Sequence, residues 1–175
     1  MSIEIRSADL ETDRDGLWRL KRQFELGLGT DTGGEQKAEI YEQKLTGEYR
    51  TRYLEWAERC TEEAAQSILV AERNATAGRT TDGGERLVGY IFVLPESLSL
   101  IWDAGVVNEL FVAEPHRGTG VADRLMERAL EVLSEQDLPL ERVVLDVDRA
   151  NDRAQAFYER YGFDHWGELV SRPLE

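Results

Sequence analysis

Between Glu114 and Met126 the chain reads EPHRGTGVADRLM: an arginine, two glycines and a threonine stand directly before a helical pattern. A glycine inside a helix costs roughly 1 kcal/mol of backbone entropy relative to alanine, so a cluster at this place needs a reason. A strand, a glycine-bearing turn and a helix head together make an anion site, because the first N–H groups of a helix have no internal acceptor. The strand here is AGVVNELFVAE (residues 104–114) and the helix is VADRLMERALEVLSEQD (residues 121–137). Gly118 and Gly120 let the backbone approach a phosphate with no side chain in the way, and Arg117 can add a charge-assisted contact. Val121, Leu125, Ala129, Val132 and Leu133 fall on one stripe of the helix, which therefore packs on a sheet with its start facing outward. There is no GxxxxGK[ST], and GxGxxG fails at Asp123, so neither kind of nucleotide loop fits. On this segment alone, a plain tight turn stays open as the alternative.

Outward from this stretch, IEIRSA (3–8) alternates as a strand, and the helix of residues 9–29 is expected to stop at Gly27 and Gly29. TDTGGEQ (30–36) reads as a loop, and residues 37–65 as largely helical with a break near Gly47. SILVAER (67–73) and RLVGYIFVLP (86–95) read as strands joined by the polar, flexible connection NATAGRTTDGGE (74–85). Towards the C-terminus follow a strand ERVVLDVD (141–148), a short helix DRAQAFYERYG (152–162) and one or two closing strands in FDHWGELVSRPL (163–174). No repeat or shift of composition marks a second domain, so residues 1–175 are expected to form one. Strands mixed with crossover helices predict an α/β (α+β layered) fold, a central sheet flanked by helices.

Composition narrows the class. No apolar run approaches 18 residues and no secretion signal is visible, and a lone cysteine, Cys60, excludes an internal disulfide framework; a cytoplasmic location is expected. The sequon Asn74–Thr76 then reads as chance. Asp and Glu total 35 against 21 Lys and Arg, a net charge of −14, which disfavours nucleic acid as a partner. Only Lys21, Lys37 and Lys44 are lysines, the other 18 basic residues being arginines; acid excess with so little lysine suggests a halophilic source, an ordinary acidic protein being the alternative.

RGTGVA (117–122) fits the R/Q-x-x-G-x-G/A signature of the GNAT superfamily of N-acetyltransferases, with Arg117, Gly120 and Ala122 on the defined positions. NELFV (108–112) resembles that family's fourth strand, and ANDRAQAFYERYGF (150–163) resembles its second hallmark, N-x(6)-Y followed by GF. The resemblance implies a mixed, mostly antiparallel sheet and acetyl-CoA as cosubstrate. It puts the pyrophosphate on Gly118, Thr119, Gly120, Val121, Ala122 and Asp123. It puts the pantetheine arm along the backbone of Leu110, Phe111 and Val112. A polyanionic cofactor on an acidic protein is tolerable if short backbone contacts hold it, since the screening length falls to about 3 Å in 1 M salt.

Direct attack of a neutral amine on the acetyl carbonyl needs no covalent nucleophile on the protein, and the residues offer no Ser/His/Asp or Cys/His arrangement. It needs a carboxylate within reach of the amine and a hydroxyl near the sulfur. Tyr158, seven residues after Asn151 and so nearly two turns on, is the candidate acid; the resemblance gives Asn151 a CoA contact and Tyr158 the protonation of sulfur. Glu109, mid-strand, and Asp146, on a strand face with Val144 and Asp148, are the candidate bases. Arg124 and Arg128 could reach the cofactor's 3′-phosphate or pair with neighbouring acids. With two histidines, His116 and His165, and no HExxH, no metal is expected. The reading is an N-acetyltransferase acting on a small-molecule amine or a protein amino group, without a membrane partner and compatible with a homodimer. A non-catalytic acetyl-CoA-binding regulator is the alternative.

Overall fold

In a computed structural model, residues 2–74 and 86–174 are described, the side chains of residues 30–32 excepted. All of the sequon but Asn74, and with it the rest of the polar connection (residues 75–85), lies outside the described residues. Strands β1 (Ile3–Ser7), β2 (Ile68–Arg73), β3 (Leu87–Val93), β4 (Gly105–Val112) and β5 (Val143–Leu145) form one sheet in chain order. Neighbours are antiparallel as far as β4, and β4–β5 is parallel. A parallel pair needs a crossover, and helix α4 (Val121–Ser134) supplies it.

The sheet is buried on both faces, which is why LVGYIFV reads as a continuous apolar run. Period-two alternation divides these residues between two cores. Ile68, Val70, Tyr90 and Phe92 face α1 (Arg14–Thr32) and α3 (Gly47–Glu63), whereas Leu69, Ala71, Ile91 and Val93 face α4. The α4 stripe buries Val121, Leu125, Ala129 and Leu133 as its spacing predicts, with Met126 added and Val132 only partly covered.

Four expectations are corrected. Helix α1 runs through Gly27 and Gly29 to Thr32, and only Gly33 separates it from α2 (Gly34–Lys44). Gly29 serves a close approach of helices: a Cβ there would lie 2.9 Å from the Cα of Ala38 on α2. Strand β5 is three residues long, and residues 163–174 form no strand; Trp166, Leu169, Val170 and Leu174 stay exposed. A short 3-10 helix, Glu96–Ile101, sits between β3 and β4 where no helix was expected.

Candidate active site

The β4–β5 ladder pairs only Gly105–Val107 with Val143–Leu145, so the two strands part beyond Val107. At the same point β4 carries one extra residue. Phe92 pairs Glu109 and Val93 pairs Val107, leaving Asn108 without a partner on β3. A cleft of about 860 Å³ opens there, bounded by α1 and α2 on one side and by α4, the segment after β5 and α5 (Asp152–Arg160) on the other.

At one end of the cleft lies the glycine turn. Gly118 (φ +73°) and Gly120 (φ +83°) are left-handed, and a Cβ on either would meet no atom within 4 Å, so conformation and open space coincide. The first intrahelical bond of α4 runs from the Arg124 N–H to the Gly120 carbonyl. The N–H groups of Val121, Ala122 and Asp123 therefore have no helical acceptor, and no side chain caps them. The Asp123 carboxylate accepts from Arg160 at 3.0 Å and from the Tyr161 hydroxyl at 2.9 Å, so it does not confront an incoming anion as a bare charge. A pyrophosphate fits this cradle.

Of the residues expected at the site, Leu110, Phe111, Val112, Arg117, Gly118, Gly120, Ala122, Asp123, Asn151, Tyr158, Glu109 and Asp146 all line this one cleft. Two do not. The Thr119 hydroxyl donates to the His116 carbonyl at 2.6 Å, and the Val121 side chain is in the core, leaving only its backbone at the helix head. Arg117 is turned back onto β4, its Nε donating to the Val112 carbonyl at 2.9 Å and its guanidinium over the Phe111 ring. Asn151 caps α5, accepting from the Ala154 N–H at 3.1 Å. Arg128 pairs Glu131 and Arg124 donates to the Ile3 carbonyl.

Tyr158 packs against Phe157 and Phe163, and its hydroxyl has no hydrogen-bond partner among the described residues. Burial pushes it up to about 12, so it holds its proton throughout the neutral range. The cleft's five carboxylates differ in how they are engaged. Glu25 is held by Lys21 and Lys44, Glu109 by Lys21, Asp123 by Arg160 and Asp148 by Lys37 at 2.5 Å. Asp146 is exposed and has no ion pair or hydrogen bond among the described residues.

The lysines escaped the sequence reading. All three lysines of the chain line this cleft, and with Arg117, Arg153 and Arg160 they set six cations against its five carboxylates, in a protein of net charge −14. Their retention among 18 arginines was the available signal. Lys21 is the deepest, donating to Glu25 at 2.5 Å and to Glu109 at 2.6 Å. Burial pulls its pKa down, but the two carboxylates outweigh that and hold it above the usual lysine range. Glu25, which burial pushes up, is held below the carboxylate range by Lys21 and Lys44.

The profile of the acetyltransferase (GNAT) family matches residues 35–163, most of the chain. The chain belongs to that family of acetyltransferases. N-alpha-acetyltransferase 30 of Schizosaccharomyces pombe is 31% identical over 65 residues, 37% of this chain and 42% of that protein. The match thus spans less than half the length of the relative. Among solved structures, the PaiA N-acetyltransferase of Thermoplasma acidophilum in complex with coenzyme A superposes with a TM-score of 0.62 at 20% identity, over 94% of this chain and 91% of that one. A chain of the NatC complex bound to Gag peptide and CoA gives 0.62 at 16% identity, over 95% and 87%. At these identities the structures speak for the fold. No metal-binding group of His, Cys, Asp or Glu occurs among the described residues, and no described helix is long and apolar enough to cross a membrane.

Proposed function

We propose that residues 1–175 act as one N-acetyltransferase domain in which the head of α4 holds the pyrophosphate of acetyl-CoA and the parted edge of β4 guides its acyl arm. The single observation that carries this reading is that a left-handed glycine cradle, three N–H groups without helical acceptors and the Tyr158 hydroxyl all border one cleft. Leu110, Phe111 and Val112 lie beyond the last β4–β5 pair, where backbone groups are available to an extended ligand. The surplus of cations lining the cleft supports a polyanionic ligand in an otherwise acidic chain.

The neutral amine attacks the acetyl carbonyl carbon and the C–S bond breaks. Tyr158 gives its proton to the departing sulfur and is restored from solvent. Its hydroxyl is protonated at any working pH and has no internal partner to compete for that proton. Asp146 is the carboxylate best placed to take the proton of the amine, because it alone among the cleft's acids has no cation or donor already engaged.

The acceptor is an amine, and a protein N-terminus is the class the S. pombe relative favours, with a small-molecule amine as the second class. The acid excess and scarcity of lysine support a cytoplasm rich in salt as the setting. Thiol release from acetyl-CoA in molar KCl, with simple alkylamines, amino acids and short peptides bearing free N-termini, tests the reading. Turnover with at least one amine, lowered at least a hundredfold by Tyr158→Phe, supports it. Binding of acetyl-CoA with no turnover on any class would make the protein a regulator instead.

A further inference from the structure

The carboxylate of Glu109 is heavily engaged. Lys21 of α1 donates to its Oε1 at 2.6 Å, and the hydroxyls of Tyr53 of α3 and Tyr90 of β3 donate to Oε2, both at 2.8 Å. Glu109 is 6% exposed, Tyr53 5%, Lys21 3% and Tyr90 fully buried. Three elements besides β4 therefore meet at one side chain. Lys21 carries the chain of contacts on to Glu25, and Glu25 carries it to Lys44 of α2 at 2.6 Å. The four charges cancel, so each is compensated only while all stay in place.

What this cluster holds is the point where the cleft opens. Glu109 is the residue directly after Asn108, the unpartnered residue of β4, and the pairing to β5 ends one residue before it, at Val107. Asn108 is exposed and lines the cleft. An extra residue in a strand re-aims its neighbours and is held only if the flanking residues are fixed. Here the fixing is done from the buried side by Glu109 and its three buried donors, and Glu109 in turn accepts from the Asn108 amide at 3.4 Å.

We propose that Glu109 is a positioning residue, with Lys21, Tyr53 and Tyr90 acting through it to fix Asn108 at the reacting end of the cleft. Its lone pairs are filled by an ammonium, two hydroxyls and the Asn108 amide, and taking a proton would displace a donor and leave Lys21 facing Glu25 alone. This inference rests on the acetyltransferase reading. It also gives the residue a role different from proton acceptance, for which Asp146 is available.

The test measures kcat and the pH profile of kcat/KM with the best amine of the acceptor panel, together with the acetyl-CoA Kd. Glu109→Gln and Lys21→Met should each lower kcat about tenfold or more, and the double variant should fall no further than the worse single one. The acid limb of the profile should stay where it is in the wild type, and the acetyl-CoA Kd should move less than about threefold. Loss of the acid limb in Glu109→Gln, with Lys21→Met near normal, would make Glu109 the base and overturn the proposal. Unchanged kcat in folded Glu109→Gln would overturn it equally. If the charge variants fail to fold, Tyr53→Phe and Tyr90→Phe each remove one donor and keep every charge. Each should lower kcat severalfold in the wild-type background and have no further effect in Asn108→Ala. No effect in either background, or an equal effect in both, overturns the proposal. Failure of the wild-type protein to bind acetyl-CoA would be a different result, removing the acetyltransferase reading itself.

Discussion

Replacing Lys21 with methionine keeps an apolar stem, one atom shorter, and removes the ammonium with its charge and its two hydrogen bonds. The ammonium it deletes sits between Glu25 and Glu109, whose side chains are 4% and 5% exposed. Lys44 still holds Glu25, and Tyr53 and Tyr90 still donate to Glu109, yet two buried carboxylates would share one partly exposed cation. Removing one partner of a buried pair costs about 3–5 kcal/mol, because the other charge is left uncompensated. With a urea slope of about 2 kcal/mol/M, that lowers the unfolding midpoint by roughly 2 M. The double variant Lys21→Met/Glu109→Gln removes a charge of each sign and should recover about half of the Lys21→Met loss, a coupling of about 2 kcal/mol plus whatever Glu109→Gln loses alone. Urea unfolding followed by circular dichroism at pH 7 in constant KCl reads all four proteins. A single-variant loss below about 1 kcal/mol, or strict additivity of the two, would refute the reasoning, since it would mean that water screens the cluster.

Further outcomes follow from the same geometry. Lys37→Met breaks a pair whose side chains are about 30% exposed and should cost no more than about 1 kcal/mol in the same assay. Stability should fall in acid, because Glu25 and Asp13 are held below their usual values of 4.5 and 3.8; what they contribute is present above those values and lost as pH drops through the lowered native ones. Lys21 works the other way: its contribution is intact below 10.5 and lost as pH rises through its raised native value; with His116 held below 6.5 and Cys60 above 9.0, unfolding midpoints against pH should be flat only between about 7 and 8.5. Gly120→Ala meets no atom but must hold a left-handed backbone, and should cost about 1–2 kcal/mol in thermal or urea unfolding. Tyr158→Phe should lower kcat by about 10²–10⁴ with little change in acetyl-CoA Kd, and the wild-type rate should show no loss from this tyrosine below about pH 11.

The turn and helix of residues 117–134 were legible because their signal is local: two glycines where the chain must go left-handed, and an apolar stripe at helical spacing. The strand at LVGYIFV was legible for the same reason. Gly29 misled, because a glycine near a helix end reads as a stop and nothing local reveals that Ala38 needs the space. The tail of residues 163–174 misled because a stretch with scattered apolar residues becomes a strand only when a sheet offers it an edge and a core. The ionic cluster was beyond sequence reading: Lys21 and Glu109 are 88 residues apart, Lys37 and Asp148 are 111, and no spacing rule joins them. What the sequence did hold was a coarser trace, three lysines kept in an arginine-rich chain, all of which the fold brings to one cleft.

The central claim is that the head of α4 holds the pyrophosphate of acetyl-CoA. Calorimetric titration of acetyl-CoA in molar KCl, wild type beside Gly120→Glu, tests it most directly. The account predicts binding in the micromolar range for the wild type and its loss in the variant, whose carboxylate would occupy the open space beside the N–H groups of Val121, Ala122 and Asp123. A folded wild-type protein that binds no acetyl-CoA, or a folded Gly120→Glu that binds it equally well, would contradict it.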